Sequence, residues 1–332
     1  RTSRVTSEEA SPRIASIVPI TRAEAFAPAT VANLGVGFDI LGLALREPGD
    51  RIAAEFSGAP GVEIAAIHGD DGKLPLDPRK NIASISAQSL LDILGTDRGV
   101  RLTVCKGLPS SSGLGSSAAS AVAAVVAVNA LFGEPLTRDE LLPAAMEGEA
   151  AVSGYHADNV APCLYGGITM SYGIRADQIV ALPIPESLFL ALVTPDIEVP
   201  TAQARAVLPT SISLRQMVQQ TGAIARLVDA IHRGDVRSMA AAMESDVVIE
   251  PARESLMPKL AEARAAAKHG GALGLVISGA GPTLCAICED AESARAAAAA
   301  MDQVYAAASI ASVSRWSPIE PQGAYVTEVA HS

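Results

Sequence analysis

The sequence predicts a fold that mixes helices and strands, of the α/β (α+β) class, and three observations support this. First, a strand-like run at 100–105 leads through a loop rich in serine and glycine into residues 116–131. That second run carries no charge, glycine or proline, so it predicts a buried helix. Second, residues 273–285 read as strand, glycine turn, strand. Third, helical patterns fill 213–232, 235–247 and 256–268.

The other elements follow in chain order from local patterns. Alternating or apolar runs predict strands at 23–29, 51–56, 62–67, 166–172 and 188–193, and two short strands end the chain. Helical spacing predicts helices at 81–94, 137–151 and 292–301. Thr137 and Glu140 form a capping box at the start of the second of these helices. Residues 68–80 are rich in Gly, Asp, Pro and Lys and predict a loop.

The length of 332 residues suits one large domain or two medium ones. The proline-rich segment 183–186 predicts the boundary, which gives an N-terminal domain at 21–185 and a C-terminal domain at 186–332. Residues 1–20 begin with Arg, show little periodicity and contain no signal-peptide core. We expect a disordered lead, a tag remnant or the end of a cut transit peptide there.

Composition excludes several classes of protein. Hydrophobic residues make up 49% of the chain and aromatic residues only 3%, so the core must be built from Ala, Val, Leu and Ile. A net charge of -11 argues against a nucleic-acid surface. The run 116–131 is too short and too weakly apolar to span a membrane. We therefore expect a soluble cytoplasmic protein, located in the plastid stroma if the source is a plant or alga.

The four cysteines predict buried structural thiols. They stand at 105, 163, 285 and 288, in apolar contexts. Cys285 and Cys288 form a C-x-x-C, but it lies inside a strand-like run with no second pair or histidine nearby. Zinc or redox chemistry is disfavoured, and the compartment is expected to be reducing.

The loop 110–115 predicts a phosphate site. A helix that starts on such a loop presents unpaired N–H groups and the positive end of its dipole to whatever lies there. No Lys-Ser or Lys-Thr pair follows the glycines, and the third glycine of the dinucleotide fingerprint is missing. From these residues alone, a turn that merely caps a core helix remains an equal alternative.

Four segments carry a resemblance to a known family. Residues 109–120, PSSSGLGSSAAS, resemble the central motif of the GHMP kinases, and SGAGPT at 278–283 resembles their third motif. Residues 28–45, PATVANLGVGFDILGLAL, and 149–162, EAAVSGYHADNVAP, resemble segments of the homoserine kinases within that superfamily. The resemblance covers roughly residues 21 to 328.

This resemblance implies a two-domain GHMP kinase fold, with an N-terminal ribosomal S5 domain 2-like domain and a C-terminal ferredoxin-like domain. The implied reaction is ATP-dependent phosphorylation of the side-chain hydroxyl of L-homoserine to O-phospho-L-homoserine, in threonine biosynthesis. The implied partners are L-homoserine, ATP and Mg²⁺, in a homodimer that binds neither nucleic acid nor membrane. A mevalonate-type GHMP kinase and a GHMP-fold sensor without turnover remain the alternatives.

The resemblance also implies substrate-binding residues. They are Asn33, Asp39, His156, Asp158, Asn159, Arg205 and Arg253. Arginine suits an amino-acid carboxylate because its planar fork matches the two oxygens. Each residue also has a structural interpretation: Asn33 and Asp39 as turn residues, His156 as a satisfied structural histidine, and the arginines as surface ion pairs.

The nucleotide and metal residues come from the same resemblance. The ATP-binding residues are Asn81, Pro109, Ser110, Ser111, Ser112, Gly113, Leu114, Gly115, Ser116, Ser117, Ala118, Ala119, Gly279 and Gly281. Asn81 is explained equally well as a helix N-cap. Glu149 and either Ser116 or Ser117 are the Mg²⁺ ligands, although a glutamate more often lies on a solvated helix face. No general base is predicted: Asn159 and Arg205 position the substrate, and the proton passes to the γ-phosphate.

Overall fold

A computed structural model of the chain describes residues 19–332. The expected lead therefore lies almost entirely outside the described residues, and Ile20 already belongs to the first strand. The strands are β1 (Ile20–Ala32), β2 (Leu41–Phe56), β3 (Val62–His68), β4 (Val100–Cys105), β5 (Ile168–Ser171), β6 (Ile179–Leu182), β7 (Phe189–Pro195), β8 (Gly274–Ile277), β9 (Leu284–Cys288), β10 (Ser312–Pro318) and β11 (Tyr325–His331). The helices are α1 (Ile82–Leu94), α2 (Ser116–Leu131), α3 (Arg138–Ser153), α4 (Ala157–Tyr165), α5 (Thr201–Ala206), α6 (Leu214–Arg233), α7 (Val236–Met243), α8 (Ile249–Arg253), α9 (Leu260–His269) and α10 (Ala291–Ala307).

The strands form two sheets. In the first, the order is β11-β1-β2-β4-β3, with β5 paired to β2 and β6 to β5. Its pairs are antiparallel except β3–β4, which is parallel. The second sheet is antiparallel throughout, in the order β10-β7-β9-β8, and α10 packs on it beside α9. The observed architecture confirms the mixed α/β class.

Helix α2 packs against the first sheet and is surrounded by it and by other helices. Every residue from Ala118 to Leu131 is buried, because the helix is apolar on all sides and contacts β1, β2, α1 and α3. Its small alanines allow these neighbours to approach closely. The buried helix expected from the sequence is thereby confirmed, and its first turn is the part left facing the space between the two sheets.

Most of the expected elements are present with shifted ends. Strand β2 is longer than expected, since residues 41–50 continue the strand that the pattern placed at 51–56. No local pattern predicts α4, which contains Pro162, or the short helices α5 and α8. Short helices carry little periodicity of their own, and their formation depends on tertiary packing.

The domain boundary at 185/186 stays a prediction. The last strand, β11, pairs with β1 in the first sheet although it lies beyond that boundary. Cys163, Cys285 and Cys288 are buried and free, as expected, but Cys105 is exposed on β4, which corrects the prediction of four buried thiols. Within residues 19–332, no helix is both long and apolar enough to cross a membrane.

Candidate active site

A cleft of about 330 Å³ lies where the two halves of the chain meet. We call it the central cleft. Its walls come from the loop before α2 and from α3, α4, α5 and α8, together with the glycine turn at 279–281. Pockets of this size, partly apolar with a few polar groups converging on them, are the usual place for a small-molecule site.

The loop that precedes α2 is held by close backbone contacts. Gly115 is the N-cap of α2 with a φ of 65°, and a Cβ there would lie 2.0 Å from Thr30 Oγ1. The Thr30 N–H donates to Leu114 O at 3.0 Å, and its hydroxyl donates to Asn159 Oδ1 at 2.7 Å. Only glycine fits this position, for reasons of both conformation and space.

The glycine turn between β8 and β9 docks on the same loop. The Ser278 hydroxyl donates to Gly113 O at 2.6 Å, and the Thr283 N–H donates to Ser112 O at 3.1 Å. A Cβ on Gly113 would lie 2.5 Å from Ser278 O. The central and third motifs predicted from the sequence therefore meet in space, and the turn closes one side of the loop.

Glu149 lies on α3 and is buried at the floor of the cleft. Burial raises the pKa of its carboxyl, and the nearby hydroxyls of Ser153 and Ser117 oppose that shift. Ser153 donates to Oε1, whereas the buried Oε2 has no hydrogen-bond partner in the structure. Ser116 points elsewhere, since its hydroxyl donates to Leu108 O at 3.2 Å. Of the two serines, it is therefore Ser117 whose hydroxyl lies near the Glu149 carboxyl.

Asp39 is the centre of a charged cluster. Arg205 donates to it through both terminal nitrogens, at 2.8 and 3.1 Å, and His156 Nδ1 lies 3.4 Å from Oδ2. The ion pair with Asp39 raises the pKa of Arg205. Asn33 holds the loop between β1 and β2 in place, because its Oδ1 accepts from the Asp39 N–H and its Nδ2 donates to Gly279 O.

Arg253 is buried and braces three elements. It donates to Ala204 O at 3.1 Å and to Gly279 O at 2.8 Å, which ties α8 to α5 and to the glycine turn. The guanidinium carbons of Arg205 and Arg253 lie 5.4 and 5.3 Å from the centre of the Phe38 ring. An aromatic ring at these distances attracts cations electrostatically, so Phe38 helps to hold both arginines at the cleft.

Burial perturbs two further titratable groups at the cleft. The pKa of Asp158 rises to about 7, through burial first and then through the negative charges of Asp39 and Glu149. The pKa of His156 falls, mainly through burial and also through the charge of Arg205, with Asp39 opposing. Groups with strongly shifted pKa values cluster at functional sites, which makes the cleft a candidate for one.

Most of the residues singled out from the sequence line the central cleft. The exceptions are Pro109, which lines a neighbouring cavity, and Leu114, Ala118 and Ala119, whose side chains lie in the hydrophobic core. Asn81 caps α1, since its Oδ1 accepts from the Ala83 N–H and its Nδ2 donates to Pro75 O. The structural interpretation of Asn81 is therefore correct, and its contact with a nucleotide base stays a prediction.

Sequence reasoning missed Thr30, Asp50, Lys106 and Phe38. Lys106 lies four residues before Ser110, where the loop begins, and could have been noticed as a cation near a phosphate site. Asp50, buried beside Lys106, gives no signal, because it lies 57 residues before Gly107, from whose N–H it accepts a hydrogen bond. Such a contact is visible only in three dimensions.

Comparisons with known proteins identify the family of the chain. The family model "GHMP kinases N terminal domain" matches residues 81–167, and "GHMP kinases C terminal" matches residues 227–307. Together with the two-layered fold and the loop at the cleft, these matches define the chain as a GHMP kinase.

Individual relatives narrow the class. A homoserine kinase of Chlorobium phaeovibrioides is 42% identical over 91% of this chain and 98% of its own length. One of Arabidopsis thaliana is 42% identical over 80% of this chain and 74% of its own. The crystal structure of a homoserine kinase from Cytophaga hutchinsonii superposes with a TM-score of 0.88 at 41% identity, covering 97% of this chain and all of that one. The chain belongs to the homoserine kinase family.

Proposed function

We propose that the protein transfers the γ-phosphoryl group of ATP to the side-chain hydroxyl of L-homoserine and so makes O-phospho-L-homoserine. The observation that carries the substrate assignment is the Asp39–Arg205 pair, which lies in the same cleft as the glycine loop at the start of α2. The family membership supports the reaction, and the charges of the cleft support the amino acid.

The loop and the first turn of α2 would hold the phosphates. The first N–H groups of an α-helix have no intrahelical partners, and Ser116 and Ser117 line the cleft, so the positive end of the α2 dipole lies at it. Gly279 and Gly281, on the docked turn, would close over the bound nucleotide. Phosphoryl transfer needs mainly positioning and electrostatic stabilisation, and this arrangement supplies both.

A zwitterion fits the Asp39–Arg205 pair better than a simple anion does. An α-ammonium group would pair with Asp39, and an α-carboxylate would take the two N–H donors of Arg205. The substrate would then replace one internal ion pair with two new ones. An alcohol that carries a carboxylate but no ammonium, such as mevalonate, would take Arg205 from Asp39 and leave that carboxylate with His156 alone, which costs binding free energy.

Glu149 and Ser117 are suited to hold Mg²⁺. Magnesium is usually bound by one or two carboxylates together with phosphate oxygens and water. The Glu149 carboxyl, whose Oε2 has no hydrogen-bond partner among the described residues, and the nearby Ser117 hydroxyl supply the oxygen ligands that such an ion needs. When bound, the ion supplies positive charge to the phosphate oxygens.

Ser117→Ala tests which serine is the ligand. It should raise the Mg²⁺ concentration that gives the half-maximal rate about tenfold, whereas Ser116→Ala should not. Equal effects of the two substitutions would overturn the assignment of Ser117.

No side chain need act as a general base. Asn159 accepts from Thr30 through its amide oxygen and can donate to a substrate hydroxyl through its NH₂ group, and an amide is too weak a base to take the hydroxyl proton. Asp158 has a pKa of about 7, so only about half of it is ionised at neutral pH, and Asp158→Asn tests whether that fraction takes the hydroxyl proton. We propose that Asn159 and Arg205 orient the substrate and that the hydroxyl proton passes to the transferred phosphate.

The family resemblance is also the basis for proposing a homodimer in the cytoplasm, or in the plastid stroma if the source is a plant or alga. Sedimentation equilibrium would test the first of these proposals, and fractionation of the source cells would test the second. A monomer at all concentrations, or a protein found in another compartment, would overturn them.

The decisive experiment measures ADP release from Mg²⁺-ATP with L-homoserine, mevalonate, galactose, L-serine and L-threonine, one at a time. Turnover confined to homoserine is the expected result. Turnover on mevalonate would keep the role of the loop and overturn the substrate cluster. Bound ATP with no ADP formed from any acceptor would indicate a ligand sensor.

A further inference from the structure

Asp50 is a buried carboxylate that the proposed reaction does not use. It lies in β2, and its side chain is 0% exposed, while that of its partner Lys106 is 3% exposed. Burying two charges costs free energy unless their hydrogen bonds are satisfied. The hydrogen bonds of Asp50 and Lys106 therefore show which segments this buried pair holds together.

Asp50 holds the start of the phosphate loop. Its Oδ1 accepts from the backbone N–H groups of Gly107 at 3.0 Å and Leu108 at 3.2 Å. Its Oδ2 accepts from the Ser120 hydroxyl at 2.8 Å and contacts the Lys106 ammonium. All four contacts lie on the segment that leads into the loop or on the helix that leaves it.

Lys106 completes the link to α2. Its ammonium donates to Asp50, to Ser116 O at 3.0 Å and to Ser120 Oγ at 2.8 Å. A lysine ammonium has three N–H donors, so all of them are committed. The pair therefore connects both ends of the loop, the segment before Ser110 and the first turn of α2, to one point on β2.

The backbone packing at this point is equally tight. A Cβ on Gly107 would lie 2.1 Å from Gly49 O, which is too close for any side chain. The chain leaving β4 is thus pressed against β2 at the residue before Asp50. This contact is independent of the charges and places the loop N–H groups within reach of the carboxylate.

We propose that Asp50 is a positioning residue for nucleotide binding. It fixes the phosphate loop from β2 before any nucleotide is present, with Lys106 as its counter-ion. A preorganised loop binds its ligand without the cost of ordering it. This inference rests on the proposed nucleotide role of the loop. It adds that the loop's shape is set by a carboxylate outside the loop.

Two double variants isolate the effect of the acceptor oxygen at position 50 on nucleotide binding. Asp50→Asn/Lys106→Met removes both charges but keeps an oxygen that accepts from Gly107 and Leu108. Asp50→Leu/Lys106→Met has a similar volume and no acceptor. Because both variants lack Lys106, any direct contribution of that lysine to nucleotide binding cancels. We expect ADP, measured by calorimetry, to bind about tenfold more weakly to the leucine variant, with the KM for homoserine equal in both within about twofold. Equal ADP affinity in the two variants would overturn the proposal.

If the leucine variant fails to fold, hydrogen exchange on the unaltered protein tests whether the segment before the loop is ordered without nucleotide. The amides of Gly107 and Leu108 should be protected without nucleotide and should change little when ADP is added. Free exchange that becomes protected only with ADP would show that the nucleotide, and not Asp50, shapes the loop. Failure of the unaltered protein to bind ADP would instead overturn the proposed function.

Discussion

Arg205 and Asp39 are 166 residues apart in sequence, yet the guanidinium donates two hydrogen bonds to the carboxylate at 2.8 and 3.1 Å. Arg205 comes from α5, near the second sheet, and Asp39 from the loop between β1 and β2. The pair therefore joins the two halves of the chain across the central cleft. It also places one positive and one negative group side by side, which we propose exchange partners with a bound zwitterion.

Asp39→Asn should bind L-homoserine more weakly and should discriminate less against alcohols that lack an ammonium group. The neutral amide cannot pair with an α-ammonium group, and a hydrogen bond to a charged group is worth about 1.5–3 kcal/mol. We therefore expect kcat/KM for L-homoserine to fall roughly 10- to 100-fold. The value for 4-hydroxybutanoate, which lacks the ammonium, should not fall. Steady-state kinetics with both alcohols measures the ratio.

The control for this variant is Asp97→Asn, which alters an exposed aspartate outside the cleft. It should leave both kinetic constants within about twofold of the unaltered protein, as surface substitutions usually do. An equal loss on homoserine and 4-hydroxybutanoate in Asp39→Asn would mean that Asp39 does not contact the ammonium.

Glu149→Gln should separate turnover from nucleotide binding. The glutamine keeps the volume and an acceptor oxygen but removes the charge that a divalent ion needs. We expect kcat at fixed Mg²⁺ to fall by about 100-fold or more, since a metal ion contributes several kcal/mol to phosphoryl transfer. Binding of metal-free ADP, measured by calorimetry, should change little.

Glu147 is the matched control, because it lies on the same helix but is exposed and bonds only the Tyr155 hydroxyl. Glu147→Gln should keep its full rate and its Mg²⁺ dependence. If Glu149→Gln were as active as Glu147→Gln at low Mg²⁺, the metal assignment would be wrong.

Asp158 should make stability depend on pH. Burial and the charges of Asp39 and Glu149 raise its pKa to about 7, against about 3.9 for an unfolded aspartate. The folded state therefore holds a proton that the unfolded state releases. Between about pH 4 and pH 7, this costs about 1.4 kcal/mol of stability for each unit that the pH rises. Above the folded pKa the cost levels off.

Asp158→Asn removes this dependence, because an amide does not ionise. The free energy of unfolding should be measured with denaturant at pH 5.5, 6.5 and 7.5. Over that range, the stability of the variant relative to the unaltered protein should rise by roughly 2 kcal/mol. Asp97→Asn should show no such gain. Parallel stability curves for Asp158→Asn and the unaltered protein would contradict the shifted pKa.

The same variant tests the absence of a general base. Proton abstraction by a positioned base contributes about 100- to 10,000-fold to rate. If the proton passes to the phosphate instead, kcat of Asp158→Asn at pH 7.5 should stay within about tenfold of the unaltered protein. A larger loss of kcat at unchanged KM for homoserine would assign Asp158 as the base.

Gly115→Ala should damage the nucleotide site specifically. The position has a φ of 65°, and the new Cβ would meet Thr30 Oγ1 at 2.0 Å, so the loop must move. Gly133, at the other end of α2, has a φ of 84° with nothing within 4 Å of a Cβ. Gly133→Ala should therefore cost only about 1 kcal/mol of stability and leave the KM for ATP unchanged. Gly115→Ala should raise that KM tenfold or more.

Local patterns were sufficient for the elements whose sequence is strongly periodic. The buried helix α2 follows from an uncharged run with no glycine or proline, and α1 begins at the Asn81 cap, as capping chemistry predicts. Helices α4, α5 and α8 are short, so tertiary packing rather than periodicity decides them. Their residues were found only through the resemblance of their motifs.

The sequence by itself determined the fold class, the loop at the start of α2 and the family, because these depend on residues close together in the chain. Tertiary structure alone decided that Ser117 rather than Ser116 faces Glu149, that Arg205 meets Asp39, and that Asp50 holds the phosphate loop. Each of these depends on which side chains share a buried volume. Burial and hydrogen bonding between distant segments are settled only when the sheets and helices pack.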